Sequence, residues 1–472
     1  MRATVSNAWP PEPPSNETEA QKATRLEAER AAKEISDDID KAIEAERQEL
    51  RRNKPQTKVL LLGQAESGKS TMIKNFQLYF CPAAFFAEAE AWRTVIHLNL
   101  ARFVNFLLHI LTNPRSSSSR RPRTSTTTAE VARDVRILQM RLSPLKQVEI
   151  ILSRALSPDG TGVATSPVSS PTLSPTDSRV NAPWTGEVPA TEISIRSGSG
   201  WKNMMRRRRG SQTQRPVMIQ LDELDDTRKV IDACKEDIAA LWKTAGAEII
   251  GEIGIDTHHH ARYFLDDVQR VADIEYFPTT DDILRARLRT VGVEEYRLTM
   301  ETAAEKGNDW LFYDVGGSRS QRTAWASYFD DVNAVVFLCP MSGFNQRLEE
   351  DRKVNRLADS LALWEQVCKS RLLTNATFIL LLNKADVLFA KLKSGIQFED
   401  YVSSYRGRPN KAENVAEYLR DQMIRTHRIH SPKKRHLHAH ITCAVEPKIM
   451  ATVLISIRDT VLVNVLQETS LL

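Results

Sequence analysis

The stretch from Lys58 to Thr71 reads KVLLLGQAESGKST. Its first half is a run of apolar, strand-forming residues that breaks at Gly63, and a helical pattern resumes after Gly68. Gly63 to Ser70 has the spacing GxxxxGKS of a phosphate-binding loop. Glycines let such a loop fold tightly with its N–H groups facing phosphate, and Lys69 supplies a point charge for the terminal phosphates. Ser70 offers a hydroxyl to Mg²⁺. The strand, loop, helix order sets this stretch apart from a solvated Gly/Ser loop of similar composition.

The chain of 472 residues is long enough for two or three domains, and its 41% hydrophobic content is that of a globular protein. A net charge of +5, with basic residues gathered at Arg206 to Arg209 and Lys433 to Arg435, gives no strong nucleic-acid or membrane signal. Five scattered cysteines without CxxC spacing favour reduced thiols and a cytoplasmic protein over a disulfide framework. The polar, proline-rich start does not read as a secretory signal. Arg2 stands where N-terminal myristoylation requires glycine. The apolar region Ala83 to Thr112 is interrupted by Glu88, Glu90, Arg93, His97, Arg102 and His109, so it reads as buried amphipathic helix and not as a membrane span.

Along the chain, Met1 to Glu19 reads as disordered, and Ala20 to Arg52 as a long charged helix. The thin apolar stripe of that helix (Leu26, Ala31, Ile35, Ile39, Ile43) fits a solvated helix as well as a partner-docking one. Helical patterns follow at Ala83 to Leu111, Ala129 to Leu156 and Leu221 to Trp242. Between them, Pro114 to Thr128 and Ser157 to Pro216 are too rich in Ser, Thr, Pro, Gly and Arg to offset their ordering entropy, and are expected to stay mobile. Ser-Pro pairs at Ser157, Ser166, Ser170 and Ser174 are candidate sites for proline-directed kinases.

From Glu294 onward, strand-like runs alternate with helical ones: Glu294 to Met300, Trp310 to Val315, Ala334 to Leu338, Phe378 to Leu382 and His440 to Cys443. That alternation implies a mostly parallel sheet covered on both faces, with ligands beyond the carboxyl ends of its strands. Three further motifs fall at such ends. Asp314 closes WLFYD ahead of Val315-Gly316-Gly317, an arrangement suited to water-mediated Mg²⁺ binding and a backbone amide near a γ-phosphate. Asn383-Lys384-Ala385-Asp386 follows FILLL, where a carboxylate can accept two hydrogen bonds from guanine that adenine has no donors to supply. Thr442-Cys443-Ala444 ends the last run, where a backbone N–H can donate to guanine O6. The four motifs in order point to guanine nucleotide.

GQAESGKST, LRARLRTVGV at Leu284 to Val293, DVGGSRSQRTAW at Asp314 to Trp325, LLNKAD and TCA together resemble the α subunit of a heterotrimeric G protein. The Arg/Ser-rich insertions resemble the enlarged α subunits of some fungi. The resemblance runs from about Lys58 to Leu472 outside the two insertions, and implies an α/β fold: a P-loop GTPase (Ras-like) domain with an inserted all-helical domain. The implied division is an N-terminal segment at 1–52, the Ras-like domain at 53–77 and 289–472, and the helical domain at 78–288.

The resemblance implies GTP/GDP and Mg²⁺ as ligands. It makes Arg287 a cis arginine finger, a role associated with about 10³ to 10⁵ in rate, where the residue type alone reads as a surface Arg in the run Arg285 to Arg289. It places Ser70 and Thr290 on Mg²⁺, and Glu66, Ser67, Gly68, Lys69, Ser70, Thr71, Leu284, Arg285, Thr290, Asp314 and Gly317 around phosphate and sugar. Asn383, Lys384, Asp386, Cys443 and Ala444 are placed around the base. Implied partners are a βγ dimer, met by the N-terminal helix and by Arg319 to Phe329 with Trp325, a seven-helix receptor met by the C-terminal helix, and a downstream effector. Nucleic acid is not among them, and peripheral association with the cytoplasmic face of the plasma membrane is expected.

Departures from the family pattern carry information too. Ser318 stands where the family has the Gln that orients attacking water, and Ala65 replaces the second Gly of GAGES. A serine lacks a carboxamide, and a β-carbon beside the γ-phosphate crowds the transition state, so both changes point to retained binding and slowed hydrolysis. A hydrolysis-deficient module acting through partners is the alternative. His259-His260 stand where the family commonly has Asp-Ser, which weakens contacts between the helical domain and nucleotide. The runs His258 to His260 and His436, His438, His440 are read as solvated turn and strand end in preference to metal sites. The ending from Ile449 is an amphipathic helix (Val453, Leu454, Ile457, Val461, Leu462, Val465, Leu466), with Thr469 and Ser470 departing from the family before Leu471-Leu472. A metabolic P-loop ATPase or kinase is opposed by NKAD and TCA. Competition decides that point: fluorescent GDP bound to the purified chain is expected to be displaced by GTP and not by a thousandfold excess of ATP, on the order of 4 kcal/mol of discrimination.

Overall fold

A computed structural model describes residues 22, 23, 30, 33, 36, 39, 41, 57–112, 127–156, 194–196, 221–246, 259–302, 307–329, 332–348, 350–433 and 435–468. The chain divides into Met1–Gln56 and Thr57–Leu472. In the first unit the described residues, between Lys22 and Lys41, are helical and exposed, as a thin apolar stripe allows.

The second unit is built on a six-stranded sheet. β1 (Thr57–Gly63) lies at its centre, and β4 (Val293–Thr299), β5 (Asp309–Val315), β6 (Ala334–Pro340), β7 (Thr377–Asn383) and β8 (Leu437–Ile441) complete the order β4-β5-β1-β6-β7-β8. β4 runs antiparallel to β5; every other pair is parallel. Parallel strands need crossovers, which bring helices onto both faces and call for apolar residues at every position. β6 and β7 are accordingly buried throughout. Alternate residues face opposite ways: Leu60, Leu62, Phe337, Phe378 and Leu380 enter one core, while Val59, Leu61, Val336, Ile379 and Leu381 enter the other.

The first core is closed by α10 (Arg356–Lys369) and α12 (Ala412–His430), with Trp364 fully buried between Phe337 and Phe378. The second is closed by α1 (Lys69–Phe80) and α13 (Pro447–Glu468), with Phe76 against Trp310 and Phe312. A third apolar cluster is built mainly from helices: α3 (Ala89–Thr112) runs through it, packed by α5 (Pro144–Leu156) and α6 (Leu221–Leu241). α3 is long and apolar enough by composition to cross a membrane, and its burial within this cluster identifies it as a core helix.

Several expectations need correction. The pattern at Ala83 to Leu111 is two helices, α2 (Pro82–Ala87) and α3, and Ala129 to Leu156 is α4 (Thr127–Arg141) and α5, because Pro144 starts a new helix instead of continuing the old one. His259 and His260 open α7 (His259–Asp266) and do not form a turn, while His258 lies outside the described residues. The last strand begins at Leu437 and ends at Ile441, so Thr442 to Ala444 is the loop beyond it. Within the Ser/Pro/Arg-rich insertion, β2 (Ser194–Arg196) pairs in parallel with β3 (Arg289–Val291). Composition predicts the lack of a core and is silent on backbone pairing to an edge already in place. The rest of that insertion lies outside the described residues.

Arg270, in the short helix α8 (Val268–Val271), and α9 (Thr280–Arg285) meet at a charge buried near the end of the helical cluster. Thr279 and Asp282 form a reciprocal capping box at the start of α9. Asp282 is fully buried and receives Arg270 bidentately, at 2.8 and 2.9 Å. Burial pushes its pKa up; the hydrogen bonds from Arg270 and Thr279 outweigh that and hold it at about 2. A depressed carboxylate stabilises the fold above its unfolded value of about 3.9 and ceases to as pH falls through the folded one. The stability difference between wild type and Asp282→Asn in urea is therefore expected to be full at pH 6 and to shrink between pH 4 and 2. A difference that stays constant over that window would remove the charge from the account.

Candidate phosphate and nucleotide cleft

The cleft opens at the carboxyl end of β1, where the chain leaves the sheet as Gly63 to Gly68 and re-enters order as α1. Gly63 and Gly68 adopt positive φ, and a β-carbon on Gly68 would come within 2.3 Å of Asn383 Nδ2. Glu66 also holds a positive φ of 59°, an unfavourable state for a non-glycine residue and one that recurs at functional loops. Lys69 is buried, and its Nζ donates to the carbonyls of Gly63 at 3.1 Å and Gln64 at 2.9 Å, which spans the loop with positive charge. Burial lowers its pKa to about 8, with Asp314 opposing the shift. Ser70 Oγ donates to Asp314 Oδ2 at 2.6 Å. A hydroxyl beside a buried carboxylate is an oxygen donor set that fits a hard cation such as Mg²⁺. Thr290 falls in β3, and its side chain lies outside the described residues.

The cleft is lined by residues distant in sequence: Glu66 to Thr71, Leu284 to Leu288, Gly317, Ser318, Gln321, Asn383, Lys384, Asp386 and Ala444. Among them Leu284 is buried, and Arg285 lies over the Tyr263 ring. The backbone before Arg287 is clamped: Lys74 Nζ donates to the carbonyls of Ile283 and Ala286 at 2.9 and 2.8 Å, and Asn99 exchanges hydrogen bonds with the Arg287 main chain. The Arg287 guanidinium pairs with Glu66 at 2.6 Å, which places it at the phosphate loop. Glu66 also receives Arg356 at 3.2 Å. Burial pushes the Glu66 carboxyl up, and the two guanidiniums with Lys384 more than reverse this, holding it well below the ordinary carboxylate range.

Asn383, which lines the cleft, also has a bracing role. It is buried, with Nδ2 donating to Ser67 O at 2.8 Å and Oδ1 accepting from Ala444 N at 3.0 Å, so it ties two loops together. Lys384 takes a positive φ of 63°, and the turn it makes starts α11 (Ala385–Lys393), with Asp386 in its first turn at the cleft. Cys443 is buried, its thiol pushed up to about 12 by burial and then by the neighbouring Asp386. Trp325, expected at a partner surface, is instead buried and donates from Nε1 to Gly316 O at 3.0 Å.

Residue spacing gives no hint of a cluster behind the loop. Asp359 in α10 accepts from Gln64 Nε2 at 2.5 Å, from Arg322 Nη2 at 2.6 Å and from Arg319 Nη2 at 3.2 Å. Burial raises its pKa, and the bonds from Arg322, Gln64 and Arg319 bring it below the usual value. Gln64 is 1% exposed and donates also to Arg356 O at 2.8 Å. The phosphate loop is thereby tied to α10, and through Arg322 to the segment after Asp314. The one available signal was Gln64 itself, a long polar side chain where a tight loop calls for a small residue.

Gly317 is packed against this loop: a β-carbon there would lie 2.2 Å from both Ala65 N and Gln64 C. Ser318 Oγ is 3.4 Å from Ser320 Oγ. A double-mutant cycle between Gln64→Ala and Asp359→Ala, read by chemical denaturation, is expected to show a coupling of about 1–3 kcal/mol, as for hydrogen bonds to a charged group. Additive losses would mean that the tether carries no energy.

Comparison with known proteins agrees with this geometry. The family of G-protein alpha subunits matches residues 33–461. Guanine nucleotide-binding protein alpha-4 subunit of Mycosarcoma maydis is 30% identical over 98% of this chain and 94% of its own. The alpha-15 subunit of Caenorhabditis elegans is 37% identical over 44% of this chain and 56% of its own, and the alpha-4 subunit of Dictyostelium discoideum 34% over 49% and 65%. With its phosphate loop, Asp314, NKAD and TCA gathered around one cleft on a sheet flanked by a helical cluster, the chain belongs to the G-protein alpha subunits.

Proposed function

We propose that this alpha subunit is a GTP/GDP switch in receptor-coupled signalling whose own GTP hydrolysis is slow. The observation that carries the second half is the contact between Gly317 and the Gln64–Ala65 backbone, with a serine as the next residue. The space for a γ-phosphate and its attacking water is bounded by a methyl group at 65 and a hydroxyl at 318.

In this reading Lys69 and the loop amides from Glu66 to Ser70 bind the phosphates, and Asp386 accepts from the guanine edge. Ser70 and Asp314 would hold Mg²⁺, which would supply positive charge against the phosphates. Arg287 leaves Glu66 for the phosphates as charge builds on them. The fixed main chain around Ala286 and Arg287 limits that movement to the side chain, so orientation costs little at the moment of reaction. Family membership supports a βγ dimer, a receptor at α13 and an effector as partners. With Trp325 inside, the βγ contact in this state falls to its neighbours between Arg319 and Phe329.

Single-turnover hydrolysis of preloaded GTP tests the reading. Ser318→Gln combined with Ala65→Gly is expected to hydrolyse about 10²-fold faster than wild type, the scale of one positioned catalytic group. Equal rates would refute slow hydrolysis. A wild type with no turnover while GTP stays bound would favour the interaction module that acts through partners alone.

A further inference from the structure

The position that Ser318 vacates has a neighbour of the right chemistry. Gln321 lies three residues on, in the 3-10 helix Arg319–Tyr328, and lines the same cleft as Ala65, Lys69, Ser70 and Gly317. Its carboxamide is laid over Gly316: a β-carbon built on that glycine would stand 1.9 Å from Gln321 Oε1 and 3.3 Å from its Nε2. The glycine is thus what lets the carboxamide come so close to the backbone ahead of Gly317. No other residue type fits at 316 without displacing it.

The turn that carries Gln321 is fixed on both sides. Its own N–H donates to Ser318 O at 3.0 Å, which curls the chain back over the two glycines. The next residue, Arg322, is anchored to Asp359 and donates from Nε to Gly317 O at 3.3 Å. Trp325 closes the same turn on Gly316 O. Gly316 N–H is in turn held by Gly292 O at 2.8 Å, beside β3. The backbone bearing the carboxamide is therefore anchored at several points, while its tip faces the cleft.

A carboxamide offers an acceptor oxygen and two N–H donors on one rigid plane, so it can accept from a water and donate to a phosphate oxygen at once. A serine hydroxyl has one donor and shorter reach. We propose that Gln321 takes the role of water-positioning residue in this chain, so that the slow hydrolysis runs through Gln321 and not through Ser318. In the step concerned the water oxygen bonds to the γ-phosphorus and the bond from that phosphorus to the β–γ bridging oxygen breaks. GDP leaves with the electron pair, and the water proton passes to the phosphate released or to solvent. The proposal rests on the reading of this cleft as a GTP site with slow turnover.

The test uses the full chain loaded with GTP and Mg²⁺, with fluorescent GDP affinity measured beside single-turnover hydrolysis. Gln321→Ala is expected to hydrolyse at least about tenfold more slowly than wild type, the low end for a positioned catalytic group, with affinity changed less than about twofold, below 0.5 kcal/mol. In a Ser318→Gln background the same substitution is expected to alter the rate less than about twofold, because position 318 then supplies the carboxamide. An unchanged rate for Gln321→Ala overturns the proposal. So does a loss no larger than the loss of affinity, an equal loss in the Ser318→Gln background, or a wild type that binds GTP without turnover. Absence of saturable GTP binding by wild type overturns the underlying reading as well, and is distinguished by the affinity measurement alone.

Discussion

One buried carboxamide holds together loops that the chain brings from three distant places. Asn383, at the end of β7, donates to the phosphate loop at Ser67 and accepts from the Ala444 amide. Gly68 lies so close that it can bear no side chain. Asn75 in α1 adds a second brace to the Ala444 carbonyl at 2.7 Å. Such groups are costly to bury unless every polar atom finds a partner, and here both ends of the amide do. The cleft takes its shape from this joint, which is made by protein groups.

Charge is arranged around the same loop in two layers. At the mouth, Glu66 gathers Arg287 and Arg356; behind it, Asp359 gathers Arg319, Arg322 and Gln64. Each carboxylate is held ionised by guanidiniums despite its burial. Removing one member of such a cluster exposes the rest to an uncompensated charge, which makes the groups act together. At the mouth of the cleft the Glu66 carboxylate takes up the positive charge of Arg287 and Arg356.

Much of this was readable in the residues. The two-faced apolar runs of β1, β6 and β7 could only be central parallel strands, and the motifs at their ends had to converge because parallel strands present all their carboxyl ends to one side. What escaped was set by contacts between remote positions. The bracing of Ser67 and Ala444 by Asn383 is one such contact, unmarked by the motif that carries the residue. Trp325 carried no mark of burial in a polar segment. The Asp359 cluster joins residues almost three hundred positions apart to neighbours in space, and no periodicity records that. His259 opens a helix whose Phe264 and Leu265 enter the helical core.

The short pairing of Ser194–Arg196 with Arg289–Val291 gives the long insertion a mechanical address. Ile195 stands in register with Thr290, and the ladder continues at Gly292 through its carbonyl to the backbone of Gly316. Two segments that share hydrogen bonds share free energy, and the linkage runs equally in both directions. Whatever steadies the inserted strand steadies Arg289–Val291 by the same amount, and the reverse holds equally. A stretch whose composition offers no core of its own is thereby joined, through backbone hydrogen bonds, to the strand that follows Leu288.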